Sequence, residues 1–155
     1  MSRPQRLTSR QEAQEILRKG EYGVLCTVSG EGQPYGVPIN YCCDEANGNI
    51  YLHCAVTGQK LDNLAHNSKV SFTVVTRSEV VQEKFTTRYE SAIVTGTAQL
   101  VEDEQEKVNA LNLLCDRLAP GVMKGREEMI RSCLHEVAII RIAAQTLTGK
   151  RNGAI

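Results

Sequence analysis

A histidine, a cysteine, a threonine and a lysine fall within eight residues, at His53, Cys54, Thr57 and Lys60, with Gly58 among them. The run before them, Ile50-Tyr51-Leu52, is apolar and strand-like. After them, Leu61, Leu64 and Ala65 recur at helical spacing. A strand that feeds a helix N-terminus presents free backbone N–H groups and a positive dipole end, which is a ready anion site. Thr57 adds a hydroxyl there and Lys60 a mobile cation. Gly58 lets the backbone turn or come close to a ligand. His53 ends the strand, where an imidazole can exchange a proton near neutral pH. The chemistry to expect is a phosphate-and-ring site for a nucleotide-like cofactor. A plainer reading of the same residues is a helix start, with Thr57 as its cap, Gly58 as a turn and Lys60 in solvent.

Other chemistries lack their residues. The chain has no G-x-S-x-G elbow, no H-E-x-x-H helix, no G-x-G-x-x-G and no Walker loop. Of its three histidines, His66 falls in the short helix and His135 before the last strand, with no nucleophile or carboxylate placed beside either. The six cysteines form no C-x-x-C pair and sit mainly in apolar runs, so zinc is not expected and the thiols read as reduced and structural. Cys54, beside His53, is either reactive or merely small. If the chain is an enzyme, a bound cofactor must supply the hard chemistry.

The elements that would position these residues follow from pattern. Ser9 and Glu12 have capping-box spacing, Ala13, Ile16 and Leu17 share a face, and Gly20 ends that helix. Tyr22 to Val28 is a β run, and Ser29 to Pro34 is turn chemistry, so Tyr35 to Cys43 should return as a hairpin. Pro38 belongs on a sheet edge or at a bulge, because it cannot donate to a ladder. Asn40 is polar in that apolar run, either as a site residue or as an outward-facing one. Asn47-Gly48 is a turn signal. Strands follow at 49–54 and 70–76, with a helix at about 58–67 between them. Residues 77–84 read as a polar connection, although Val80 and Val81 could pair. Phe85 to Val101 is a long strand, bent at Gly96, with polar groups gathered at its start. Glu102 to Leu118 is a helix with a stripe of Val108, Leu111, Leu114, Cys115 and Leu118. Gly125 to Cys133 starts a short helix, and Val137 to Ala144 is a final buried strand. Thr146 to Arg151 reads as a basic tail, frayed or reaching a phosphate or a partner subunit.

At least six strands and three to four helices, not regularly alternating, argue for a mainly β (α+β) antiparallel barrel with peripheral helices. The 155 residues fit one domain, 1–155. Basic and acidic residues balance at 18 each, which gives no electrostatic footprint for nucleic acid or an anionic membrane and permits self-association. No apolar run approaches a membrane span, and the first residues lack the apolar core of a signal peptide, so a cytoplasmic location is expected.

The ordered set Lys19-Gly20-Glu21-Tyr22-Gly23-Val24-Leu25, then Gly32 to Tyr41, then Ile50 to Ala55, then Gly58-Gln59-Lys60, then Arg88-Tyr89-Glu90-Ser91 with Gly96, and a terminal Thr148-Gly149-Lys150 resembles the pyridoxamine phosphate oxidase-like flavin proteins. It is most similar to their nitroimidazole-reductase-like (Nim) branch, over about residues 8 to 151. The resemblance implies an FMN-binding split β-barrel homodimer with flavin at the subunit interface. Val37, Pro38, Ile39 and Asn40 would lie along the isoalloxazine. His53, Cys54 and Ala55 would line the ring and ribityl chain. Thr57, Gly58, Gln59 and Lys60 would hold the phosphate. Glu90 and Ser91 of the partner subunit would approach the flavin, and Lys150 would close the site.

The resemblance further implies an FMN-dependent oxidoreductase that passes electrons from a reductant to a small-molecule acceptor, with a nitroimidazole or other nitro compound as one such acceptor. His53 would be the catalytic proton donor. The arginine- and lysine-rich strand and the Arg-x-His-Asp-Arg-like ending of the pyridoxal phosphate-forming oxidases are absent, which argues against that reaction. A rival reading is a non-catalytic flavin- or heme-binding module with His53 as an iron ligand; a third uses a deazaflavin, and a fourth is a dimeric structural protein with a vestigial site.

Overall fold

The structure, a computed structural model, describes residues 3–153. After a short 3₁₀ turn at Pro4–Arg6, helix α1 spans Arg10–Lys19. The capping box closes on both arms: the Glu12 N–H donates to Ser9 Oγ (3.2 Å) and the Ser9 N–H to the Glu12 carboxylate (2.8 Å). Ala13, Ile16 and Leu17 are buried. Gly20 does end this helix, but in extended rather than left-handed backbone. Glycine is needed there for space, because a Cβ would lie 2.2 Å from Val74 Cγ1 and 2.4 Å from the Tyr41 oxygen. The Tyr41 hydroxyl donates to the Leu17 carbonyl and pins α1 to the barrel.

Seven strands follow: β1 Tyr22–Val28, β2 Pro34–Asn40, β3 Cys42–Cys43, β4 Ile50–Ala55, β5 Lys69–Val81, β6 Thr86–Leu100 and β7 Val137–Asn152. They form one antiparallel sheet in the order β2-β1-β5-β6-β7-β4-β3. The sheet curls until β2 approaches β4, making a split barrel around Leu25, Phe72, Val94, Ile140, Ile142 and Leu52. Helix α2 (Gln59–His66) crosses from β4 to β5. Helices α3 (Glu104–Leu118) and α4 (Arg126–Cys133) cover a second core outside the barrel, on Cys42, Tyr51 and Ile139. The expected α+β antiparallel barrel is thus the observed architecture. No helix among the described residues is long and apolar enough to cross a membrane.

Three expectations are corrected. Residues 77–81 are not a connection: β5 runs on to Val81, pairing Val80 with Thr87 and Val81 with Thr86. Alternating ion pairs hold this polar extension, with Glu79 accepting from Arg77 (2.8 Å) and lying 3.6 Å from Arg88. The tail at 146–151 is not frayed: β7 continues to Asn152, and every residue from Thr146 to Asn152 has a partner on β6. Leu118 is exposed rather than part of the buried face of α3, which is Ala110, Leu111 and Leu114. The bend at Gly96 is real: the β6–β7 register shifts between Thr95 and Gly96, and a Cβ on Gly96 would meet the Ala143 carbonyl oxygen at 2.1 Å.

Candidate functional site

Strand β4 alternates cleanly at its end. Leu52 and Cys54 turn into the barrel core, while His53 and Ala55 are exposed on the opposite side. Ladder pairing to Ile139, Ala138 and Val137 of β7 fixes the backbone of His53, Cys54 and Ala55. The chain then leaves the sheet through Val56 and Thr57, and Gly58 stands at the N-cap of α2 with φ +147°. That backbone disfavours any side chain, and a Cβ on Gly58 would point into open space. Thr57 is not the cap, since Gly58 occupies that position and no side chain caps the helix.

Without a side-chain cap, the backbone N–H groups of Gly58, Gln59 and Lys60 find no acceptor among the described residues; the first N–H groups engaged are those of Leu61 and Asp62, both on the Gly58 carbonyl. Three donors, an open approach over Gly58 and the helix dipole therefore point one way, with Lys60 half-buried beside them. Burial pushes the Cys54 thiol up, and the nearby Lys60 ammonium opposes that shift. Cys54 is thus a protonated, small core residue at neutral pH whose neighbour is the cation of the cradle.

The cradle is anchored by a residue the sequence reading overlooked. Gln59 Nε2 donates to Asn63 Oδ1 (2.7 Å), and Asn63 Nδ2 donates to Thr27 Oγ1 of β1 (2.9 Å). Asn63 and Thr27 are each only 1 % exposed. A buried amide bonded at both its oxygen and its nitrogen ties the first turn of α2 to β1. Its sequence signal was an Asn on the apolar face of a short helix, four residues after Gln59. His66 ends the same helix and is exposed.

Strand β2 is a true edge, so Pro38 removes no donor that a neighbour needs beyond β1. Val37 and Ile39 pack toward the barrel core, whereas Pro38 and Asn40 are exposed. Asn40 spends its amide on the Glu21 carbonyl (2.9 Å).

Glu90, Ser91 and Lys150 lie elsewhere. Ser91 pairs with Lys150 on β7, and His53 pairs with Ile139 on the same strand. Ile139 and Lys150 are eleven residue steps apart, about 36 Å measured along the strand. Within one chain the two groups of residues do not meet. Glu90 is 5 % exposed, and its carboxylate is already taken: Arg151 Nε donates to one oxygen (2.9 Å) and Thr76 Oγ1 to the other (3.0 Å). Arg151 also reaches Glu12 (2.9 Å), so of the two tail cations only Lys150 keeps an unengaged head among the described residues.

Two rows of the outer barrel face run from β2 to β7. The ladders put Pro38, Val24, Thr73, Ile93 and Thr148 in one outward row and Gly36, Cys26, Ser71, Thr95 and Thr146 in the next. No charged residue interrupts either row, although 23% of the chain is charged. Ile93 is 42% exposed at its centre.

Comparisons with known proteins agree with this architecture. Over 60 residues the chain is 38% identical to the 5a,11a-dehydrotetracycline/5a,11a-dehydrooxytetracycline reductase of Streptomyces rimosus, a match that spans 37% of this chain and 42% of that protein. The fold superimposes on a protein from Bacteroides thetaiotaomicron provisionally assigned to 5-nitroimidazole antibiotic resistance, with a TM-score of 0.77, 24% identity, and coverage of 93% of this chain and 85% of that one. An FAD- and heme-binding protein of Mycobacterium smegmatis gives a TM-score of 0.77 at 21% identity, over 95% of this chain and 73% of that one. Such identities carry the fold and no more. The family model described as pyridoxamine 5'-phosphate oxidase matches residues 9–151, nearly the whole chain, and the chain belongs to that family.

Proposed function

We propose that this chain is an FMN-dependent oxidoreductase that works as a homodimer, taking electrons from a reductant and delivering them to a small acceptor such as a nitro compound. The observation that carries this reading is the uncapped start of α2: three unengaged backbone donors, Gly58 with open space before it, and Lys60. This is a cradle for a phosphate dianion, and it fits FMN on the strength of its donors alone.

When bound, FMN supplies hydride or electron transfer at its N5 atom. The chain's own residues do the rest. Lys60 and the Gly58–Lys60 backbone hold the phosphate. The fixed backbone of His53, Cys54 and Ala55 and the edge strand Val37–Asn40 position the ring. His53, exposed at the end of β4, delivers a proton to the acceptor as it is reduced. The separation of His53 from Ser91 and Lys150 along β7 supports a site completed by a second copy. Glu90 enters that reading through its ion pair with Arg151, which sets the backbone beneath Ser91 and Lys150.

The test is a visible absorption spectrum of the purified protein, followed by heat release of any chromophore and titration with FMN. Flavin bands and saturable rebinding of about one FMN per chain are expected. A colourless protein that ignores FMN would refute the proposal, and a Soret band without flavin bands would replace it with a heme module ligated by His53.

A further inference from the structure

Helix α2 starts without a side-chain cap, yet its first backbone donors are the ones on which the phosphate cradle depends. An uncapped helix end frays, and donors that fray do not converge on one point. The first turn must therefore be held from the side. A chain of side chains does so: Gln59 Nε2 donates to Asn63 Oδ1 (2.7 Å), and Asn63 Nδ2 to Thr27 Oγ1 (2.9 Å).

Its placement argues that it contributes position rather than stability. Thr27 occupies an inward place on β1, in line with Gly23 and Leu25, and Asn63 shares the buried face of α2 with Leu61. Apolar side chains at these two points would bury without needing partners. An amide and a hydroxyl must be bonded to each other merely to offset the water they give up. What the polar pair adds is direction and distance. The bond from Gln59 to Asn63 ties the first residue of α2 to the following turn. The bond from Asn63 to Thr27 ties that turn to β1. Thr27 in turn pairs with Tyr35 in the β1–β2 ladder, two residues before Val37, where the stretch of β2 given to the flavin ring begins. The path Gln59–Asn63–Thr27–Tyr35 thus runs from the phosphate end of the proposed site to its ring end.

We propose that Asn63 is a positioning residue for the cofactor phosphate. By tying Gln59 to β1 it aims the Gly58–Lys60 donors and sets their distance from β2, and so it determines how strongly the site prefers a phosphorylated flavin. Buried as it is, Asn63 acts through Gln59 and not by touching the ligand. The inference rests on the FMN reading for the identity of the ligand, but not for the presence of an oxyanion at the start of α2.

The test compares FMN with riboflavin, the same ring and ribityl chain without the phosphate, by fluorescence titration of the parent, T27V/N63L and T27S. The double variant replaces both buried polar partners by apolar groups, and Gln59 is exposed and can turn to water. Its melting temperature without ligand should therefore stay near the parent's. Its preference for FMN over riboflavin should nevertheless fall about tenfold, because charge-assisted donors that no longer converge lose much of their effect, while riboflavin affinity holds. T27S keeps the hydroxyl and should keep the parent's preference. T27V alone breaks only the bond to β1 and gives the same comparison should the double variant not fold. An unchanged preference in the variants would overturn the inference and leave the FMN reading standing. Equal weakening of both flavins would reduce the pair to packing and overturn it as well. If neither flavin binds the parent, the FMN reading fails by itself, and calorimetric titration with phenyl phosphate decides the role of Asn63. Binding by the parent that T27V/N63L weakens supports that role; equal binding by both proteins, or none by either, overturns it.

Discussion

His53 and Lys60 carry different burdens in the proposed site, and substitution separates them. H53A is expected to retain FMN while slowing reoxidation of the dithionite-reduced protein by a nitroimidazole about a hundredfold, the scale of a lost general acid. Stopped-flow absorbance measures that rate, and an unchanged rate would remove His53 from the chemistry. K60Q is expected to weaken FMN about tenfold, more at low salt than at high, because a phosphate contact is lost. Cys54 should resist alkylation by iodoacetamide at neutral pH in the folded protein, since burial holds its thiol protonated. Rapid modification there would contradict the view of Cys54 as packing. At this scale the placement of His53 at the end of a strand and of Gly58 and Lys60 at a helix start was legible, because it follows from residue type and short spacing. It was silent on Asn63 and sent Arg151 to a phosphate or a partner subunit rather than to Glu90 and Glu12, because their true partners lie 36 and up to 139 positions away.

At the scale of elements, local signals reached as far as local physics does. The capping box of α1, the β1–β2 turn and the start of α4 depend on neighbours within a few residues and were readable. The extension of β5 and the long β7 were not, since polar stretches such as 77–81 and 146–152 become strands only when paired across the sheet. Helix α3 is held to β4 and β7 by one carboxylate: Glu106 accepts from Arg141 (2.6 and 2.8 Å) and from the Tyr51 hydroxyl (2.9 Å). The Arg141 hydrogen bond holds the Glu106 carboxyl below its ordinary range. A depressed carboxyl stabilises the fold above the unfolded value and ceases to do so as pH falls through the folded one. Stability should therefore drop on acidification below the usual carboxylate range, and E106Q should flatten that limb in pH-dependent denaturation. G96A should cost about 1–3 kcal/mol by chemical denaturation, because its methyl meets backbone at the β6–β7 register shift rather than a movable side chain.

For the whole molecule, the decisive feature is the pair of uncharged outward rows with Ile93 among them, together with proposed site residues that lie far apart along the ladder of β7. Two adjacent exposed rows without charge offer a surface on which another copy can pack. I93E should keep the fold, since the side chain points outward, yet yield a monomer that has lost FMN. The direct measurement is sedimentation velocity of the FMN-loaded protein, recorded in the protein and flavin absorbance bands together. Both bands should move as one boundary at about twice the 17.1 kDa of a single chain. Flavin that stays behind the protein, or that travels with a single chain, would contradict a cofactor held between two copies.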